Sequence, residues 1–255
     1  MVRQTNKILF INPVGTDQYD AEMLSYVKSS AQNNTMVDIR SFKKGPKHLE
    51  YMFYEGVVGN DILRAVYNAE KEGYNSAIIG CFYDPFLYEA REIVNIPVIG
   101  PAEASMNLAS MLGYKFSIIV GRTKWIPQMT ENIRKYNMEN KLASFESLGM
   151  GVCEFQSNPQ ITKNKIIQAA RQSIKKGAEV IILGCTIEYG FYKELQELLH
   201  VPVIDVVLAS LKYAEMMSDI SKNLNWSHSK IGIFEPPAMS EIMEFNLIDN
   251  LNGDY

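Results

Sequence analysis

Two of the three cysteines, Cys81 and Cys185, occupy matching positions in the sequence. Each follows a glycine at the end of a short apolar run, and the two lie 104 residues apart. Such runs are typical of buried parallel strands, whose carboxyl ends hold the ligands of open α/β sheets. We expect a helix to begin beside each thiol, where its positive end favours thiolate over thiol. With one thiol deprotonated and its partner protonated, the pair could act as general base and general acid.

The internal repeat extends beyond the cysteines. The tripeptide Pro-Val-Ile that begins at Pro97 recurs at Pro202, 105 residues later, so the register is kept within one residue. Upstream, a predicted strand over 7–12 has its counterpart over 116–121, and a predicted helix follows each. A period of this length is too long for a solenoid and is typical of two copies of one α/β unit.

Short β-branched runs alternate with stretches of helical periodicity, which is the pattern of parallel sheets covered by helices. Strands are predicted over 7–12, 36–42, 76–81, 116–121, 178–185 and 230–234, and helices over 17–33, 59–73, 125–138, 161–176 and 205–222. The sequence therefore predicts an α/β fold with two pseudo-symmetric lobes, each a small, mainly parallel sheet flanked by helices.

Composition excludes several functional classes. The formal net charge of −4 and the absence of a long basic block argue against nucleic acid as a partner. No apolar stretch approaches the length of a membrane span and the first one is too short for a signal peptide, so we expect a cytoplasmic protein without a membrane partner.

The remaining cysteine and the histidines add no second kind of site. Cys153 has no counterpart in the repeat, and we interpret it as structural. His48, His200 and His228 lie outside the repeated motif, which disfavours a Cys-His hydrolase. No ligand spacing typical of zinc and no glycine-rich nucleotide motif is present, so we expect neither a metal nor a cofactor.

The run Cys-Phe-Tyr-Asp-Pro that begins at Cys81, together with the paired Gly-Cys strand ends, resembles the Asp/Glu/hydantoin racemase superfamily. The resemblance spans about positions 7 to 215 and is strongest to the hydantoin and allantoin racemase branch. Amino-acid racemases typically follow the second cysteine with Thr-His and hydantoin racemases with Ala-Gly-Met, whereas this chain has Thr186-Ile187-Glu188. The related arylmalonate decarboxylases keep only the second cysteine, so Cys81 argues against decarboxylation.

The resemblance implies a cofactor-independent racemase that inverts the α-carbon of a 5-substituted hydantoin or a related, allantoin-like ureide. Cys81 and Cys185 are then the catalytic acid/base pair, in a cleft between the lobes. Because the chain of this family usually crosses back, we expect lobe one over 1–100, completed by 206–255, and lobe two over 101–205. The family also implies a homo-oligomer and a small-molecule substrate.

The same resemblance suggests that Asn12, the backbone of Phe82 and the backbone of Thr186 bind the substrate. Thr123 is added as the counterpart of the Asn12 region in the repeat, and Glu188 because it departs from the family pattern and suggests an altered pocket. Asn12 could instead be a turn former before Pro13, and Arg122 is an alternative to Thr123. Three other functions stay open: an Asp/Glu-type amino-acid racemase, a maleate-type cis-trans isomerase, and a non-enzymatic small-molecule binder with the same fold.

Overall fold

The structure, a computed structural model, describes residues 5–247 and residue 251. The chain forms two compact units. The first comprises the described residues up to Gly80, Pro85–Gly100, and the described residues from Leu211 onward. The second comprises Cys81–Asp84 and Pro101–Ser210, so it contains both cysteines of the repeat. The lobe bounds expected from the sequence stay a prediction.

Each unit contains a sheet of four parallel strands. The strands of the first sheet, in chain order, are β1 (Asn6–Asn12), β2 (Thr35–Ser41), β3 (Ser76–Ile79) and β4 (Val98–Ile99). Those of the second are β5 (Phe116–Val120), β6 (Leu142–Ser147), β7 (Val180–Leu183) and β8 (Val203–Asp205). The spatial orders are β2-β1-β3-β4 and β6-β5-β7-β8. The two sheets thus have one topology, and the predicted α/β fold is confirmed.

Helices follow the strands along the chain. The α-helices are α1 (Asp20–Ser30), α2 (Met52–Lys71), α3 (Leu87–Ile93), α4 (Pro101–Leu112), α5 (Ile126–Lys135), α6 (Pro159–Lys175), α7 (Tyr192–Leu199), α8 (Val206–Leu224) and α9 (Met239–Glu244). Helix α4 packs on the second sheet, against β5, β7 and β8. Helix α8 begins in the second unit and continues in the first, where the Ser218 hydroxyl donates to Ser76 Oγ of β3 at 3.0 Å. None of the helices in the described ranges is both long and apolar enough to cross a membrane.

The central strands are buried on both faces. Every residue of β3, β5 and β7 is buried, as are Ile8, Leu9, Phe10 and Ile11 of β1. This burial accounts for the continuous apolar runs in the sequence, because a parallel strand covered by helices on both sides has no polar face.

The strand predicted over 230–234 is wrong. The structure has a 3-10 turn at Gly232–Phe234, preceded by extended backbone that pairs with no described strand. Ile231 and Ile233 are exposed, so the alternation of apolar residues does not mark a buried face here. Phe234 instead packs edge-on against the Tyr88 ring, with 5.2 Å between the ring centroids.

The glycine before each cysteine is required by the close approach of the neighbouring strand. The Gly80 N–H donates to the Ile11 carbonyl of β1 at 2.7 Å, and the Gly184 N–H donates to the Ile119 carbonyl of β5 at 2.8 Å. A Cβ atom at Gly80 would lie 2.8 Å from that Ile11 oxygen, and one at Gly184 would lie 2.6 Å from the Ile119 oxygen. Any larger residue would push the strands apart at the point where the cysteine follows.

We predict that Gly184→Ala destabilises the protein by about 1–3 kcal/mol, the usual cost of overpacking, because the new methyl group meets backbone. Urea unfolding measures the change. Gly56→Ala is the matched control: Gly56 is exposed within α2 and a Cβ there meets nothing within 4 Å. That substitution should stabilise the protein by about 0.5–1 kcal/mol. Equal effects of the two substitutions would contradict the close approach.

Candidate active site

Cys81 and Cys185 each begin the turn that follows a central strand, β3 and β7 respectively. Both are half-buried and pack against the apolar core of the second unit. Cys153 is exposed, and all three residues are thiols rather than disulfides. The second unit therefore carries two partly accessible thiols at equivalent places of the repeat.

The expectation that a helix begins beside each thiol is wrong. Helix α3 starts only at Leu87 and α7 only at Tyr192, several residues after the cysteines. In the first case Asp84 and Phe86 adopt φ values of 50° and 55°, which a right-handed helix does not allow. In the second, Cys185 precedes a 3-10 turn over Thr186–Glu188. Turns, and not α-helix ends, surround the thiols.

A buried acid lies three residues after each cysteine. The Asp84 N–H donates to the Cys81 carbonyl at 2.9 Å, and the Glu188 N–H donates to the Cys185 carbonyl at 3.0 Å. Both acids are only 1% exposed. The repeat therefore includes the geometry of this turn and an acidic residue at its last position. The two residues between the cysteine and the acid differ in the two halves.

Asp84 binds the beginning of helix α4. Its carboxylate oxygens accept hydrogen bonds from the N–H groups of Ala102 and Glu103, both at 2.9 Å, and from the Tyr136 hydroxyl at 2.7 Å. Burial raises the pKa of Asp84 to about 7, and these hydrogen bonds act in the opposite direction. Asp84 thus fastens the turn after Cys81 to the helix that packs on the second sheet.

Glu188 has no such contact. Among the buried side-chain atoms that the structure describes, neither of its carboxyl oxygens has a hydrogen-bond partner. Burial raises the pKa of Glu188 well above its ordinary value; the nearby Asp205 carboxylate raises it further, and the Cys185 backbone amide lowers it. The carboxyl group is therefore held in its protonated form more strongly than an exposed glutamate.

In the second half, Asp205 accepts hydrogen bonds from the beginning of a helix, as Asp84 does in the first half. One of its oxygens accepts from the N–H groups of Val207 and Leu208 at the beginning of α8, at 3.0 and 3.3 Å. The other accepts from the Gly190 N–H at 2.8 Å. Helix α8 is thereby capped without Glu188.

The other predicted substrate-binding residues have different surroundings. Phe82 and Thr186 are buried in the second unit, each directly after its cysteine, whereas Thr123 is exposed in the 3-10 turn Thr123–Trp125. Asn12 lies in the first unit at the end of β1, and its Nδ2 donates to Asp20 Oδ1 at 2.6 Å. The structure thus groups Phe82 and Thr186 with the thiols in one unit.

The roles of Asp84, Asp205 and Tyr136 were not predicted from the sequence. Asp84 belongs to the run that carries the family resemblance, and an acid three residues after each cysteine is visible in the sequence. That shared spacing could have indicated both acids. The contact with Tyr136, 52 residues along the chain, has no local signal.

Metal ligands and histidines contribute nothing to this site in the described ranges. There, no group of three His, Cys, Asp or Glu side chains lies together in a way that could hold a metal ion. His228 accepts a hydrogen bond from the Val98 N–H in the first unit at 3.0 Å, and burial lowers its pKa to about 3. It is a neutral, structural histidine.

We predict that Asp84 makes the stability of the protein depend on pH. Its pKa of about 7 in the folded state lies above the ordinary 3.8, so the folded state holds the proton more tightly. The protonated carboxyl of Asp84 therefore contributes fully to the stability of the folded state below pH 4, and this contribution is lost as the pH rises through 7. Asp84→Asn cannot titrate. The free energy of unfolding of wild type, relative to that of this variant, should therefore fall by more than about 1 kcal/mol from pH 4.5 to 8.

Urea unfolding at the two pH values measures this difference. Glu197→Gln is the control, because Glu197 is an exposed acid on α7. A difference for Asp84→Asn that stays constant between the two pH values would contradict the interpretation.

Comparisons with known proteins agree with the architecture. A model of the Asp/Glu/hydantoin racemase family matches residues 8–214. A hydantoin racemase from Pseudomonas sp. (strain NS671) is 31% identical over 236 residues, which cover 92% of this chain and 93% of that protein. The solved structure of an allantoin racemase from Klebsiella pneumoniae has a TM-score of 0.84 and 26% identity, covering 92% of this chain and 94% of the other.

A second solved structure, allantoin racemase from Pseudomonas fluorescens, has the same fold. Its TM-score is 0.83 at 24% identity, over 91% of this chain and 97% of that one. This chain likewise has two parallel sheets of the same strand order, and a Gly-Cys pair follows the corresponding strands β3 and β7. The chain belongs to the Asp/Glu/hydantoin racemase family and is an isomerase of the racemase class. The resemblance to this family that the sequence predicted is confirmed.

Proposed function

We propose that this chain is a cofactor-independent racemase that inverts the α-carbon of a 5-substituted hydantoin or a related, allantoin-like ureide. Cys81 and Cys185 are its acid/base pair. The observation that carries the proposal is the equivalence of the two thiols: each follows a glycine at the end of the corresponding strand, in two sheets of identical order. The hydantoin and allantoin racemases among its relatives support the substrate class.

The reaction needs one base and one acid on opposite faces of the reacting carbon. The thiolate of one cysteine removes the proton from the carbon next to the ring carbonyl, and the electron pair is delocalised into that carbonyl. The thiol of the other cysteine then delivers its proton to the opposite face. The two cysteines exchange protonation states in each turnover, so the product enantiomer is converted by the same steps in reverse.

Backbone N–H groups in the turns are the donors available to stabilise the enolate-like oxygen. Those of Phe82 and Thr186 come directly after the cysteines, in turns closed by the hydrogen bonds of Asp84 and Glu188. We assign the polar edge of the substrate to Asn12, Phe82, Thr123, Thr186 and Glu188. We keep homo-oligomer formation and a cytoplasmic location as expectations of the same proposal.

The proposal predicts that Cys81→Ala and Cys185→Ala each slow inversion of a single hydantoin enantiomer by about 10²-fold or more, since general acid–base catalysis typically contributes 10²–10⁴. The assay follows optical rotation and deuterium uptake at the α-carbon in D2O, with the uncatalysed rate subtracted. Residual exchange in each variant should be confined to one enantiomer, and to opposite enantiomers in the two variants. Each variant lacks the thiol on one face, whereas the other face keeps its thiol.

Cys153→Ala is the matched control, because Cys153 is an exposed thiol outside the repeat. It should leave both readouts unchanged. If Cys81→Ala or Cys185→Ala inverts the substrate at the wild-type rate, the two-cysteine mechanism is wrong.

Two other reactions use the same fold, and a substrate panel separates them from the proposal. An Asp/Glu-type racemase would exchange the α-proton of free amino acids, and a maleate-type enzyme would isomerise a cis double bond. The residues after Cys185 differ from the Thr-His of amino-acid racemases, which disfavours the first of these reactions. Activity on hydantoins, without activity on free amino acids or on maleate-type substrates, would support the proposal.

The two-cysteine mechanism requires one thiol to be deprotonated near neutral pH. At least one of Cys81 and Cys185 should therefore react with iodoacetamide at a rate whose pH midpoint lies well below the ordinary thiol pKa of about 8.5. Mass spectrometry of the alkylated peptides gives the rate at each cysteine against pH, with the exposed Cys153 as an internal reference. Midpoints near 8.5 for both cysteines would contradict the two-cysteine mechanism.

A further inference from the structure

In the turn after Cys81, one peptide group is hydrogen-bonded at both ends. This group joins Tyr83 to Asp84. Its N–H, that of Asp84, donates to the Cys81 carbonyl at 2.9 Å. Its carbonyl, that of Tyr83, accepts a hydrogen bond from the Asn132 side-chain amide at 2.7 Å. Because a peptide group is planar, fixing its N–H and its carbonyl fixes the orientation of the whole group.

The turn after Cys185 has the equivalent pair of hydrogen bonds. Its corresponding peptide group joins Ile187 to Glu188, and the Glu188 N–H donates to the Cys185 carbonyl at 3.0 Å. The Gln156 side-chain amide donates to the Ile187 carbonyl at 2.8 Å. The same amide also donates to the Tyr189 carbonyl at 3.4 Å. In both halves, a side-chain amide thus holds the carbonyl of the second residue after the cysteine.

The two amides come from different elements of the second unit. Asn132 lies on α5, whereas Gln156 lies in the segment between β6 and α6. The two residues are 24 positions apart, whereas residues copied with the repeat would be about 105 positions apart. The duplication therefore does not account for this shared contact. Its presence in both halves indicates that it serves what the two turns have in common.

Both amides are held by their surroundings. Asn132 is buried, and Tyr136, four residues later, donates its hydroxyl hydrogen to the Asp84 carboxylate at 2.7 Å. Gln156 is half-buried and directly follows Phe155, which is fully buried in the core of the second unit. A side chain that is itself fixed by packing can fix the group that it binds.

What the two turns have in common is a thiol at the first position and backbone N–H groups after it. Proton transfer requires the thiol to lie in line with the reacting carbon, and the N–H groups must keep their direction toward the oxygen that becomes negative. A displacement of about 1 Å in such a site can lower the rate about 10²-fold. The orientation of the held peptide group therefore affects the reaction at the adjacent thiol.

We propose that Asn132 and Gln156 are positioning residues, Asn132 for the turn that carries Cys81 and Gln156 for the turn that carries Cys185. The inference rests on the proposed function, because it concerns the geometry of the same acid/base pair. Each residue acts through a backbone carbonyl and not through contact with the substrate. Loss of one amide should impair proton transfer at one thiol and spare the other.

The test uses Asn132→Leu and Gln156→Met, which remove the amides and keep similar side-chain sizes. Initial rates of racemisation are measured from each enantiomer of allantoin and of 5-isobutylhydantoin, and the compound that wild type racemises faster is used. In each variant kcat should fall about tenfold or more. Circular dichroism follows the inversion.

The primary isotope effect of substrate deuterated at the α-carbon separates the two thiols. Proton transfer at the displaced thiol becomes the slow step. Relative to wild type, the isotope effect should therefore rise for the enantiomer whose proton that thiol removes, and it should fall for the other enantiomer. The enantiomer that shows the rise should differ between Asn132→Leu and Gln156→Met. A general loss of stability lowers the amount of active enzyme but does not produce this opposite pattern.

Thr130→Val is the matched control, because it removes a hydrogen bond within α5, from the Thr130 hydroxyl to the Ile126 carbonyl at 2.7 Å. It should leave kcat within about twofold and both isotope effects unchanged. If Asn132→Leu does not fold, Gln156→Met decides alone, through the opposite changes for the two enantiomers.

If wild type racemises the substrate and the variants keep its kcat, this inference alone fails. A lower kcat with both isotope effects unchanged also contradicts it. If wild type racemises neither compound, the proposed function fails, and amide hydrogen exchange followed by NMR still tests the held turns. The Asp84 N–H should exchange at least tenfold faster in Asn132→Leu, and the Glu188 N–H in Gln156→Met. Unchanged exchange would contradict the inference.

Discussion

In each sheet, the neighbouring strand comes so close to the strand before the cysteine that only a glycine fits there. The Ile11 and Ile119 carbonyls accept the glycine N–H groups, at 2.7 and 2.8 Å, and occupy the space that a side chain would need. Each cysteine directly follows this glycine, so a larger residue at the glycine would displace the backbone that carries the thiol.

The two halves agree in the turn next to each thiol and differ further away. The turn after each cysteine is closed by the N–H of an acid three residues on, in both halves. The acids of the two halves differ in their other contacts: Asp84 caps α4 in the first case, whereas Asp205 and not Glu188 caps α8 in the second. The two turns thus share their closing hydrogen bond and differ in the residue that holds the next helix.

The sequence predicted the parallel sheets and the paired glycine-cysteine ends because both depend on local patterns, burial periodicity and close spacing. These predictions failed where contacts between distant parts of the chain determine the local structure. The run over 230–234 alternates like a strand, yet it pairs with no strand among the residues that the structure describes. The helix expected beside Cys81 begins only after Phe86, whose left-handed backbone cannot belong to a right-handed helix, and a 3-10 turn follows Cys185. The capping by Asp84 and the missing partner of Glu188 depend on residues distant in sequence, so spacing alone could not reveal them.

The central claim is that Cys81 and Cys185 act on one carbon from opposite sides. A crystal structure with a bound hydantoin tests it most directly, through the distances from each Sγ atom to carbon 5 of the ring. The account predicts that both Sγ atoms lie about 3–3.5 Å from that carbon, a near-attack distance, and on opposite faces of the ring. Two sulfur atoms on the same face, or a ring bound away from either thiol, would contradict it.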